Sequence, residues 1–351
     1  MRRSIATTIR AVAITAFLGL LLTPSGVQAE PASRPLLRIS TENAADHVQT
    51  QLVANFANTL RERVGDRLEV VHEPAAVLFR DRDVIHALRQ GQVEMAVPGT
   101  WQIDRLVPPV GVFLLPAFYG LDKGAVHALR DGAVGAAVTR AIETYLDVVV
   151  PGRWLDLGFT HIYTRHRSVN RHEDLKGLVI RIAGGEGNAA RLRALGMVPI
   201  VVPWPDLPTA LASGELDGIL TSHESVTSAR LWEHGLTHVF EDRQYFAQYV
   251  PLIAARFWNR LPDDLRDIIR ATWEESVDTG RTRADAAQAA ARITLIDHGL
   301  RIVTPDETTL RAYREAIGTN VEADLLALGI APEMVPVILN SLSRPHGESP
   351  R

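Results

Sequence analysis

The sequence predicts an α/β protein of two lobes, each a mixed, mostly parallel sheet flanked by helices, with one long helix spanning both. Three observations lead there. A β-α-β-α-β run opens the chain, and a second set of elements begins near Leu155. Residues 213–219 (SGELDGI) repeat the helix, glycine turn, acid and strand of residues 90–95 (QGQVEM). Behind an N-terminal leader about 320 residues remain, more than one core usually organises.

The leader comes first. MRRSIATTIR is basic, residues 11–22 are mostly apolar, and TPSGVQAE places small Val27 and Ala29 before a break, which is the pattern of a signal peptide cleaved after Ala29. The apolar run falls short of the ~20 residues of a spanning helix, so the mature chain is expected outside the membrane. Cysteine is absent, which excludes disulfides, thiolate metal sites and a cysteine nucleophile. Losing residues 1–29 removes three arginines and no acid, leaving 34 Lys+Arg against 41 Asp+Glu, a net charge of −7. That balance opposes nucleic acid and anionic membranes as partners.

Residues 36–41 (LLRIST) read as a strand, and 48–64 as an amphipathic helix with Leu52, Phe56 and Leu60 at helical spacing. Strand 68–72, helix 82–89 ending at Gly91, and strand 93–97 complete the first run. Residues 155–165 begin a new set of elements, and 178–183 and 198–202 read as strands of a second sheet. From 262 to 296 the chain is strongly helical, with Leu265, Ile268, Ile269 and Trp273 on one face, and 307–342 adds further helix. The expected division is a leader over 1–29, a first lobe from 30–155 and ~244–284, a second from 156–243 and ~285–342, and a disordered tail at 343–351. No Pro/Gly-rich linker divides the chain, so several crossings are expected to join the lobes.

Three chemistries find little support. The twelve histidines contain no HExxH or closely spaced ligand set, so no metal site is expected. G-x-S-x-G does not occur, and Ser222-His223-Glu224 cannot make a triad as sequential neighbours. Gly185-Glu186-Gly187-Asn188-Ala189-Ala190 matches G-x-G-x-x-A, with Asp206 about 20 residues on. Yet it lies deep in the chain and follows a strand carrying Arg181, so no dinucleotide or other cofactor is expected. The helix start remains anion-friendly.

Arg181 is the informative residue. In LVIRIA (178–183), Leu178, Ile180 and Ile182 share one face, while Val179, Arg181 and Ala183 share the other. A guanidinium keeps its proton, so its burial calls for an anion: an internal acid or a ligand.

The stretch from 174 to 226, with DLKGLVIR, LGMVPIVVPWPDLPTAL and SGELDG at matching spacings, resembles the solute-binding proteins of TRAP (tripartite ATP-independent periplasmic) transporters, in the branch similar to the dicarboxylate-binding proteins. FRDRDVIHALRQGQVEMAV, VFLLPAFYGLD and RFWNRLPDDLRDII extend the resemblance over nearly all of the mature chain. It implies a two-lobed periplasmic-binding-protein fold and a periplasmic, non-enzymatic, monomeric chain without cofactor. Such a chain captures a small organic acid and hands it to the small and large membrane permease subunits. It also implies that Arg181 forms a salt bridge with the solute carboxylate, as a planar fork suits.

Other positions carry over less evenly. Trp204 stands where the family has an aromatic that packs on the ligand, with a core tryptophan as the alternative. Thr221, with Ser222, replaces a ligand-binding Asn, and Thr160 replaces a second arginine. Those departures favour one carboxylate over two. Glu42, Asp81 and the loop Gly99-Thr100-Trp101 stand at first-lobe positions that meet the ligand in relatives, with a solvated charge and a helix cap as alternatives for the two acids. Sensing for a histidine kinase and an enzyme acting on a carboxylated substrate are the rival roles.

Overall fold

The computed structural model describes residues 34–342; the expected leader and the expected disordered tail lie outside the described residues. The chain lays down β1 (Leu36–Ser40), β2 (Glu69–Glu73), β3 (Met95–Ala96) and β4 (Val148–Val149). It continues through β5 (Leu155–Phe159), β6 (His161–Thr164), β7 (Val179–Ile182), β8 (Val198–Val201), β9 (Gly218–Thr221) and β10 (His238–Phe240). Then come β11 (Phe246–Tyr249), β12 (Leu252–Ala254) and β13 (Arg301–Val303).

These strands form two sheets, in the orders β2-β1-β3-β12-β4 and β13-β10-β6-β9-β7-β8. Each is mixed. β1 runs parallel to β2 and β3, and β7 to β8 and β9, whereas β12 and β6 run antiparallel to both their neighbours. β5 and β11 form a separate antiparallel ribbon where the chain passes from one sheet to the other and returns.

Local chemistry explains the main elements. The helix Val48–Val64 starts where His47 Nδ1 accepts from the Gln49 amide (3.1 Å) and buries Leu52, Phe56 and Leu60, one turn apart, over the first sheet. The helix Asp81–Gln90 begins with two acids in its first turn and ends on Gly91 at φ +70°, a left-handed cap that glycine reaches without strain. One buried apolar cluster joins the first sheet to Ile180, Ile182 and Leu220 of the second. A smaller cluster around Tyr163, Leu211, Ile219 and Val239 covers the second sheet's other face.

The long helix runs Asp263–Asp297, 35 residues or about 50 Å. It packs along the Val48–Val64 helix, then β5, then the helix His223–Ser228, and so spans both lobes. Trp273, fully buried, meets Phe56 edge-to-face at 5.0 Å. No described helix is long and apolar enough to cross a membrane.

The last helices depart from expectation. Glu307–Ile317 and Val335–Leu342 pack on the 3-10 turn Pro116–Phe118 and the helix Lys123–Arg130, elements of the chain's first part, not on the second sheet. Leu310 lies over Gly120, and Arg314 Nη1 donates to the Tyr119 carbonyl at 3.1 Å. Amphipathic periodicity shows that these helices bury a face but not which layer receives it.

Candidate functional site

Residues at or just beyond the carboxyl ends of β1, β3, β7 and β9 line one cleft, the position at which open α/β sheets gather ligand groups. This cleft lies between the lobes. Glu42, Asp81 and Trp101 line it from the first lobe, and Arg181, Trp204 and Thr221 from the second. Leu157, Thr160, Tyr245 and Tyr249, on or beside the β5–β11 ribbon, form the wall between them.

Arg181 is 1% exposed. Its Nε donates to the Val202 carbonyl at 2.8 Å, and its Cζ lies 5.5 Å from the Trp204 ring centroid. Its Nη2 is buried without a hydrogen-bond partner, and it makes no ion pair among the described residues. Burial lowers its pKa to about 10, against a smaller upward pull from Glu42, so it stays cationic at neutral pH.

A second buried arginine makes the contrast. Arg191 is fully buried, yet every nitrogen is occupied: Nε by Gln244 Oε1 (3.0 Å), Nη1 by the Leu114 carbonyl (2.6 Å) and Nη2 by Asn188 Oδ1 (2.6 Å). It also sits 4.9 Å over the Tyr245 ring. Arg191 is a satisfied structural cation, and Arg181 keeps a donor to give.

Opposite stands an acidic pair. Burial pushes both the Glu42 and Asp81 carboxyls up, Asp81 well above the usual range because Glu42 adds its charge. The Asp81 amide donates to Glu42 Oε1 at 3.4 Å.

Polar contacts on both sides of the cleft tie the lobes together. Arg80 forks onto Asp206 (2.7 and 3.2 Å). On the other side, Glu224 accepts from the Val48 amide (2.8 Å) and pairs with His47 Nε2 (2.9 Å), placing a carboxylate at the start of the Val48–Val64 helix.

Of the residues singled out in the sequence, Arg181, Trp204, Thr221, Thr160, Glu42, Asp81 and Trp101 line the cleft, whereas Ser222 and Thr100 do not. Ser222 caps the His223–Ser228 helix, its Oγ accepting from the Ser225 amide at 3.2 Å. Thr100 is 1% exposed at the start of the helix Thr100–Ile103, behind the wall. Ser225, Asn43, Asn188, Tyr245 and Tyr249 line the cleft without having been singled out. Asn188 alone gave a signal, as part of the glycine motif.

That motif serves packing. A Cβ on Gly187 would lie 2.6 Å from Leu114 Cβ, and Gly185 sits at φ +92°. The helix start is not open to a ligand anion, because Asp104 Oδ2 accepts from the Gly187 amide at 3.5 Å. Nor do Ser222, His223 and Glu224 converge: His223 bridges the Tyr163 hydroxyl (2.5 Å) and Glu241 (2.9 Å), while Glu224 turns to His47. No group of three His, Asp or Glu among the described residues is placed to hold a metal ion.

A model of the family described as "Bacterial extracellular solute-binding protein, family 7" matches residues 39–323. The chain belongs to that family. Similar curated relatives include the C4-dicarboxylate-binding periplasmic protein DctP of Shewanella loihica, 23% identical over 82% of this chain and 83% of that protein. The protein of the same name from Rhodobacter capsulatus is 25% identical over 69% and 72%. Among solved structures, the sugar acid binding protein DctPAm of Advenella mimigardefordensis, in complex with galactonate, superposes with a TM-score of 0.80 at 20% identity, over 88% of this chain and 98% of that one. A TRAP periplasmic solute binding protein from Sulfurospirillum deleyianum with bound succinate gives 0.79 at 20%, over 87% and 98%. The two-lobed fold of TRAP solute-binding proteins is thus shown for this family 7 chain, and its family and neighbours are binding proteins.

Proposed function

We propose that this family 7 protein captures a small organic acid carrying one carboxylate between its lobes, in the periplasm, and delivers it as a monomer to the small and large subunits of a membrane permease. Arg181 receives the carboxylate. The observation that carries this reading is a buried guanidinium facing the cleft with Nη2 unpartnered and no internal acid in ion-pair contact. A carboxylate meeting it gains a charge-assisted, fork-shaped partner in a region of low dielectric. Trp204, already against Arg181, offers a flat apolar face for the solute's carbon skeleton.

Relatives whose structures hold galactonate or succinate support carboxylate recognition as the common element. A single cleft arginine opposite two acids favours one carboxylate here. The lobes close about the β5–β11 ribbon and the long helix, with the first lobe built on residues 34–155 and ~244–284 and the second on 156–243 and the residues after ~285 that reach β13. A thermal-shift screen of small monocarboxylic acids against their neutral amides tests the reading. A bound acid at 100 times its dissociation constant is expected to add about 2.7 kcal/mol, and its amide far less. Equal stabilisation by acid and amide contradicts it.

A further inference from the structure

The acidic wall constrains the solute further. Glu42 and Asp81 are each more than nine-tenths buried, and both face the cavity that Arg181 faces. The Asp81 amide donates to Glu42 Oε1 at 3.4 Å, which sets the two acids together on one wall. Arg181 is the only cationic side chain among the described residues lining the cleft. Arg80 is engaged by Asp206, and Arg191, behind the wall, faces Asp242. One cation therefore faces two acids across the lining.

A monocarboxylate joined to Arg181 takes up the one cation of the lining and leaves two acids facing no other there, and a second anionic group adds to the mismatch. A cationic nitrogen cancels it. Trp101 and Tyr249 line the same cleft, their rings 5.4 Å apart and meeting edge to face, and the Asn43 amide donates to the Tyr249 hydroxyl at 3.0 Å. Aromatic rings attract cations and add little for a neutral hydroxyl.

We infer that the solute is a zwitterion, with a carboxylate for Arg181 and a cationic nitrogen for Glu42, Asp81 and the neighbouring rings. This rests on the carboxylate reading above, and one set of titrations separates the two. The probes are amino acids and hydroxy acids of the same skeleton, namely alanine and lactate, serine and glycerate, phenylalanine and phenyllactate, with glycine betaine and succinate added. The amino or betaine member is expected to bind at least about tenfold more tightly than its hydroxy partner. Glu42→Gln, and separately Asp81→Asn, should level that preference, whereas Arg181→Gln should abolish binding of both members. A hydroxy acid or succinate that binds as tightly as any zwitterion, through Arg181, overturns the inference and leaves the carboxylate reading standing. Binding of both members undiminished in Arg181→Gln overturns the reading beneath it.

Discussion

Replacing Arg181 by methionine should make the ligand-free protein more stable while removing its binding. The side chain is buried, and its pKa falls from the ordinary 12.5 to about 10, mainly through desolvation. At about 1.4 kcal/mol per pH unit, holding the charge there destabilises the fold by roughly 3 kcal/mol. A base with a depressed folded-state pKa carries that penalty in full below about pH 10 and sheds it only above 12.5. Methionine removes the penalty and fills similar volume, but gives up the hydrogen bond to the Val202 carbonyl, worth about 1 kcal/mol, and the contact with Trp204, worth about 0.5–1. The net expectation is a gain of about 1–2 kcal/mol, or a rise of roughly 2–5 °C in Tm. Calorimetric unfolding of both ligand-free proteins at pH 7 measures it. A loss of more than about 1 kcal/mol would show that Arg181 has a stabilising internal partner, and the reasoning fails.

Three further outcomes are expected. Ser222→Ala should lower stability by about 1 kcal/mol through loss of a helix cap and leave affinity unchanged, whereas Thr221→Val should weaken binding severalfold with little change in stability; titration and denaturant unfolding of both variants separate cap from ligand contact. Burial pushes the Asp242 carboxyl up to about 7, so between pH 3.8 and 7 the folded state holds a proton that the unfolded chain has released, and stability falls as pH rises through that window. Asp242→Asn should flatten the dependence by about 1.4 kcal/mol per pH unit, read from unfolding at pH 5 and pH 7. Glu224→Gln weakens a contact between the lobes and should speed solute release about tenfold, measured by stopped-flow fluorescence of the cleft tryptophans; an unchanged rate would remove Glu224 from closure.

Much of the fold was legible because burial writes periodicity into the chain. The Val48–Val64 helix has the bounds its spacing implied, and β7 shows its alternation, with Ile180 and Ile182 in the main core and Arg181 on the other face. Strand direction was not legible: β6 and β12 run antiparallel to their neighbours because the chain crosses between the lobes there, and a four-residue apolar run carries no sign of its direction. The layer covered by the last helices was hidden for the same reason. In the site, Arg181 stood out as one charge in an apolar run, whereas Tyr245 and Tyr249, beside the bulge in β11, carry no charge or motif that marks them in the sequence. Ser222 and Ser225 could be told apart only once the start of the helix between them was fixed.

Titration calorimetry of the solute into wild type and Arg181→Ala addresses carboxylate capture most directly. The substitution is expected to cost about 2–5 kcal/mol of binding, roughly 30-fold to a few thousand-fold in affinity. Equal affinities for the two proteins would contradict it.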